Sequence, residues 1–129
     1  MTRTVLQPET LKDPRPRYSQ GILTTGSSLL FIAGQTAADE NGQVVGKGDI
    51  DRQTERVFEN LNAVLAAAGA TFENLVMTTT YLTDISYREA YNRVRLKYYG
   101  STPPTSTLLV VKALGHEDFL IEIDGIAVI

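Results

Sequence analysis

The most restrictive feature of this sequence is its last strand-like run, Ile121 to Val128, in a chain that offers only two helical stripes. Period-2 alternation sends Ile121 and Ile123 one way and Glu122, Asp124, Ile126 and Val128 the other. The second face mixes carboxylates with aliphatic groups, too apolar to sit bare and too polar for a dry core. Two helices cover one face of a sheet. The other face is therefore expected to pack on a second subunit, with polar groups gathered near a cleft at the seam. A homo-oligomer is predicted.

The rest of the chain supplies the elements. Pro8, Pro14 and Pro16 keep most of the first twenty residues in loops and short extended pieces. Strands are expected at Ile22–Thr25 and Ser28–Ala33, joined as a hairpin at Gly26-Ser27. The run Leu29 to Ala33 is apolar throughout, which predicts burial on both faces. Val57, Leu61, Val64, Leu65 and Ala68 form a helical stripe, with Asp49 or Asp51 as cap and Gly69 as stop. A threonine-rich strand spans Val76–Leu82. A second helix opens at Ser86, with Glu89 completing a capping box, carries a Tyr87, Tyr91, Val94, Tyr98 stripe and stops at Gly100. Strands near Thr107–Val111 and Phe119–Val128 close the chain. The order β-β-α-β-α-β-β predicts an α+β sandwich, one mixed sheet with two helices on one face, in a single domain over residues 1–129.

Composition narrows the chemistry. Cysteine is absent and His116 is the one histidine. Disulfides, thiolate nucleophiles and Cys-based metal sites are excluded, and no G-x-S-x-G elbow supports a serine triad. A net charge of −3 without basic blocks argues against a nucleic-acid surface. No apolar run reaches the ~20 residues that span a bilayer, and no signal-peptide pattern opens the sequence. A soluble cytoplasmic protein is expected.

The joint order of several short motifs resembles the RidA family, also called YjgF or, in older usage, L-PSP endoribonuclease. The pieces are Tyr18-Ser19-Gln20, Leu30 through Gln35, Gln53-Thr54 with Asn60-Leu61, Ala67-Ala68-Gly69, Thr80 through Asp84, Tyr91-Asn92, and Ile121 through Ala127. The resemblance implies a chorismate-mutase-like fold and a homotrimer with ligand clefts between subunits. It also implies hydrolysis of small enamines and imines to a keto acid and ammonia, with no metal and no cofactor. In such proteins an arginine in a Pro-x-Arg-Ser pattern clamps the substrate carboxylate, and a carboxylate on the last strand handles water.

This sequence departs from that pattern. The matching stretch reads Pro104-Thr105-Ser106-Thr107, so Ser106 stands where the arginine belongs, and Ala33 stands where many members carry serine. The bidentate fork that reads a carboxylate is missing from its usual place. A larger or less anionic ligand, held by hydrogen bonds, is one consequence.

By the resemblance, Glu122 is the candidate general base or acid toward water, helped by a cleft that raises its pKa. Tyr18 and Asn92 match cleft positions. Ser106 and Thr107 offer hydroxyls and backbone N–H groups to a ligand oxygen, and Arg17 is a candidate replacement for the missing charge. Gln35 reads as a structural residue bonding local backbone. His116 lies in a polar turn with Glu117 and Asp118, and adjacent turn residues rarely converge on one metal ion. Lys112 reads as solvated. The glycines at 46 and 48 lack a P-loop ending. Three functions compete: an imine hydrolase of altered range, a non-catalytic ligand-binding or regulatory trimer, and the ribonuclease of the older name, which an acidic chain supports least.

Overall fold

The computed structural model describes residues 1–129. Its elements are β1 (Thr2–Leu6), β2 (Gly21–Thr25), β3 (Leu29–Gln35), α1 (Ile50–Ala67), β4 (Leu75–Leu82), α2 (Arg88–Tyr99), β5 (Thr105–Val110) and β6 (Ile121–Val128). Four strands form a mixed sheet in the order β3-β6-β4-β5, in which only β4 and β5 run parallel. Both helices pack on one face, as two amphipathic stripes require. Val57, Phe58, Leu61 and Leu65 of α1 lie fully buried in one cluster with Leu75, Leu82, Ile121, Ile123 and Ala127 of the sheet.

The helix ends follow local chemistry. The Asp49 carboxylate accepts the Arg52 N–H at 3.0 Å, and Gly69 takes φ 69° just after the last turn of α1. At the second helix the expected cap moves. Asp84, at the end of β4, accepts from Ser86 N at 2.8 Å and nucleates a short 3-10 turn, so α2 proper begins at Arg88. Tyr91, Val94 and Tyr99 turn inward. Tyr98 stays half-buried, stacked on Phe58 at 4.8 Å with its hydroxyl donating to Glu55 of α1 at 2.8 Å.

The N-terminal part departs from expectation. β2 does not pair with β3; it forms a separate antiparallel ladder with β1, Thr2 opposite Thr25 and Leu6 opposite Gly21. A two-residue primed turn needs positive φ at its centre, and no residue of the link Gly26–Ser28 has one. The link instead runs beside the C-terminus: Ser27 N and Ser28 N donate to the Ile129 carbonyl at 3.1 and 3.2 Å, and Ile129 N donates back to Ser28 at 3.0 Å. β3 is consequently an edge strand. The expected burial of both its faces holds on one side only, with Ile32 at 4% exposure but Leu29 at 63% and Phe31 at 70%.

Candidate functional site

The functional candidates fall on two faces of the sheet. Residues opposite one another in register point to the same face. Ser106 lies opposite Thr78, which is buried under the helices, whereas Thr107 lies opposite Thr79 on the outer face. On β6, Glu122 lies opposite Tyr81 and Asp124 opposite Thr79, also on the outer face.

On the helix face, Ser106 and Leu108 of β5 meet α2 and the loop before β2 in a cleft of about 390 Å³, whose other walls are Arg17, Tyr18, Arg88, Asn92 and Arg95. Ser19 fixes the loop. It is buried, its N–H donates to the Pro104 carbonyl at 3.0 Å and its Oγ to the Pro103 carbonyl at 2.5 Å. Arg88, Asn92 and Arg95 are spaced i, i+4 and i+7, one face of a helix. Arg95 is 5% exposed, lies over the Tyr91 ring at 4.4 Å, and donates to Tyr91 Oη at 3.1 Å and Asn92 Oδ1 at 2.6 Å. Its Nε is buried without a partner. All ion pairs of the chain lie elsewhere, so Arg17, Arg88 and Arg95 share a cleft without a neutralising carboxylate. Such a cleft attracts anions.

On the outer face, Glu122 is half-buried beside Gly34, and a Cβ built at Gly34 would overlap its carboxylate. Burial, then the neighbouring Asp124 charge, pushes the Glu122 pKa above the ordinary carboxylate value. Tyr81 donates to Asp124 Oδ2 at 3.0 Å, and that bond holds the phenol pKa up. The Glu122 carboxyl can hold or release a proton next to an open surface.

Arg17, Tyr18, Asn92 and Ser106 are therefore brought together; Glu122 and Thr107 stand on the opposite face of the same sheet. Gln35 donates to the Ala33 carbonyl at 3.1 Å, a local backbone bond. Lys112 and His116 are exposed, and His116 Nδ1 accepts from Asp118 N at 3.0 Å within its turn. No three His, Asp or Glu side chains converge in a geometry that could hold a metal, and no helix is long and apolar enough to cross a membrane. Arg88 and Arg95 escape the sequence reading, and Tyr81 and Asp124 enter it only as members of a motif and of a strand face. The 88/92/95 spacing was the available signal for both arginines, and a stripe drawn through apolar residues alone passes over it.

Comparison with known proteins adds the following. Residues 10–129 match the sequence profile of the endoribonuclease L-PSP family. A RutC family protein of Pyrococcus abyssi is 38% identical over 128 residues, covering 98% of each chain. Two crystal structures from Yersinia pestis are similar along the whole chain, both of proteins of unknown function of the conserved Rid family. YyfB is 34% identical and superposes with TM-score 0.92, covering 100% of both chains. YyfA is 31% identical with TM-score 0.74, covering 99% of this chain and 100% of its own.

Proposed function

This chain belongs to the endoribonuclease L-PSP family, whose relatives carry the names Rid and RutC, and from that premise we propose that it hydrolyses a small reactive imine, in equilibrium with its enamine, to a carbonyl compound and ammonia. The single observation carrying the reading is the Glu122 carboxyl, half-buried beside Gly34 with its pKa raised. A group of that kind exchanges protons with water closer to neutral pH than an ordinary glutamate does.

In the proposed reaction the Glu122 carboxylate takes a proton from water as the water oxygen bonds to the imine carbon. The C=N π pair moves to nitrogen and gives a carbinolamine. Glu122 returns the proton to that nitrogen. As the hydroxyl proton passes by way of Glu122 to the nitrogen, the C–N bond breaks, the carbon–oxygen double bond forms and ammonia departs, leaving Glu122 again a carboxylate. No oxidant or cofactor enters this balance. An anionic substrate group is held by the Arg17, Arg88 and Arg95 cleft in place of an arginine at Ser106, with Tyr18 and Asn92 as hydrogen-bonding walls and Thr107 at the water side. Orientation and charge neutralisation supply the rate.

Glu122 and the arginine cleft lie on opposite faces of one sheet, so one site containing both is built from two subunits. A homotrimer with clefts between subunits, clearing reactive intermediates in the cytoplasm, is the setting this reading implies. The same separation favours a second reading, a ligand-binding trimer that captures small anions without catalysis.

The test is ammonia release from a panel of imines generated in situ from amino acids. The hydrolase reading expects turnover that Glu122→Gln abolishes. Saturable binding of the corresponding keto acids, with no ammonia release from any imine, selects the second reading.

A further inference from the structure

We propose that the free edge of β3 is completed by β2 of a second copy, so that residues 1–25 are exchanged between subunits and the pairing itself assembles the site. Three observations carry this.

First, β2 and β3 are joined by three residues, yet neither is the other's partner. β2 pairs with β1 only, β3 with β6 only, and each presents a row of unpaired N–H and C=O groups on its outer side. An edge of that kind is a template for another strand. Second, the link does not close locally. Its residues are all at negative φ, and its backbone is committed to Ile129. A Cβ on Gly26 would overlap a Val128 methyl and stand 3.0 Å from the Ile129 carbonyl oxygen, so the path beside the C-terminus is built for glycine. A straight hinge that carries a terminal element away from its own sheet edge is the geometry of element exchange.

Third, the faces match. Leu23 is 63% exposed, and Phe31 and Leu29 are 70% and 63% exposed. Antiparallel pairing centred on the link sets Leu23 against Phe31 on the outer face, where Met77 and Leu109 are also uncovered. A second copy of this chain is the occupant that carries the complementary strand by construction.

The consequence for the site follows from register. With Leu23 opposite Phe31, Gly21 falls opposite Ala33, and the residues just before it run past Gly34. They are Ser19 and Gln20, which follow directly on Arg17 and Tyr18, seated in their own subunit's cleft with Asn92, Arg95 and Ser106. Gly34 adjoins Glu122. Strand exchange therefore sets the arginine cleft of one copy against the Glu122 of the next. The exchange stands on backbone geometry; this consequence rests on the reading of Glu122 as the proton-transfer group.

The chain has no cysteine, so an engineered pair reports cleanly. Leu23→Cys with Phe31→Cys places both thiols at exposed positions, and Thr25→Cys with Leu29→Cys is a second pair one step along the ladder. After mild oxidation, non-reducing gels are expected to show covalent oligomers closing at the size of the native assembly. The separate single variants are expected to cross-link only after being unfolded and refolded together. Disulfides confined within single chains would overturn the proposal, because the hairpin then folds back on its own β3. Persistent free thiols in both pairs would overturn it too. The outcomes separate from those of the hydrolase reading: intermolecular cross-links in a protein inert to imines leave the exchange standing, and imine turnover without such cross-links leaves only the hydrolase.

Discussion

Gly34 and the Glu122 carboxylate occupy adjoining space: a methyl group added at Gly34 would stand 2.7 Å from Glu122 Cδ and 3.1 Å from its Cγ. The clash falls on the far end of a flexible side chain, which can swing aside without disturbing the ladder between β3 and β6. Gly34→Ala is therefore expected to fold normally, with a stability change within about 0.5 kcal/mol. Displacing the reacting carboxylate by an ångström is worth about 10²-fold in rate. Imine turnover alongside thermal unfolding checks both halves.

Asp124 adds to the effect of burial on the pH at which Glu122 works. Burial is the larger cause of the raised Glu122 pKa and the Asp124 charge the second, so Asp124→Asn removes part of the shift. The base form of Glu122 then persists to lower pH, and the acid limb of the kcat/KM profile moves down. Stability follows the same linkage. A carboxyl whose folded pKa exceeds its unfolded one stabilises the fold in acid relative to neutral pH. Glu122→Gln is expected to raise the unfolding temperature near neutral pH, and the gain should vanish as pH falls below the ordinary carboxylate range. A gain that is equal at both pH values would contradict the raised pKa.

Most of the core was legible because it rests on local pattern. The α1 stripe, the Asp49 cap and the alternation of β6 each carry their own signal, and the structure reproduces them except at Ala68, an exposed C-cap, and Val128, which is buried. The pairing of β2 was not legible. A Gly-Ser dipeptide between two strands suits a hairpin, and nothing local reveals that Val128 and Ile129 press against that turn. The site was half legible: Tyr18, Asn92, Ser106 and Glu122 stand in short motifs. Of the cleft arginines Arg17 was legible as a candidate charge, but Arg95 was not, since it follows Val94 on a stripe where apolar neighbours suggest only core. Its role depends on Tyr91 and Asn92, which become its partners only once the helix is wound.

Tyr91 is the buried support of that charge. Its hydroxyl accepts from Arg95 Nη1 at 3.1 Å and from Thr80 Oγ1 at 2.9 Å, and its ring lies under the guanidinium. Tyr91→Phe keeps the ring and strands two buried donors, a cost of about 1–3 kcal/mol. Urea unfolding should show the loss. Calorimetric titration with pyruvate should show weaker binding, because Arg95 is no longer held at two points. Unchanged affinity in a destabilised variant would remove Arg95 from the anion site.

Gln53 ties the approach to β6 onto α1, and so governs where Glu122 sits. Fully buried, it donates from Nε2 to the Asp118 carbonyl at 2.7 Å and the Gly46 carbonyl at 3.2 Å, while its Oε1 accepts from Leu120 N at 2.9 Å. Gln53→Leu preserves volume but leaves three backbone groups without their partner. At about 1 kcal/mol for each lost bond, more where a group stays dry, the expected cost is about 3 kcal/mol. Gln53→Glu separates geometry from charge. It keeps the acceptor for Leu120 but turns a carboxylate toward two carbonyl oxygens, so it should be tolerated in acid, where the carboxyl is protonated and can donate. Stability should then fall as pH rises. Chemical denaturation of both variants at two pH values measures this. A Gln53→Glu variant as stable at neutral pH as in acid would show that water, not this side chain, satisfies the turn.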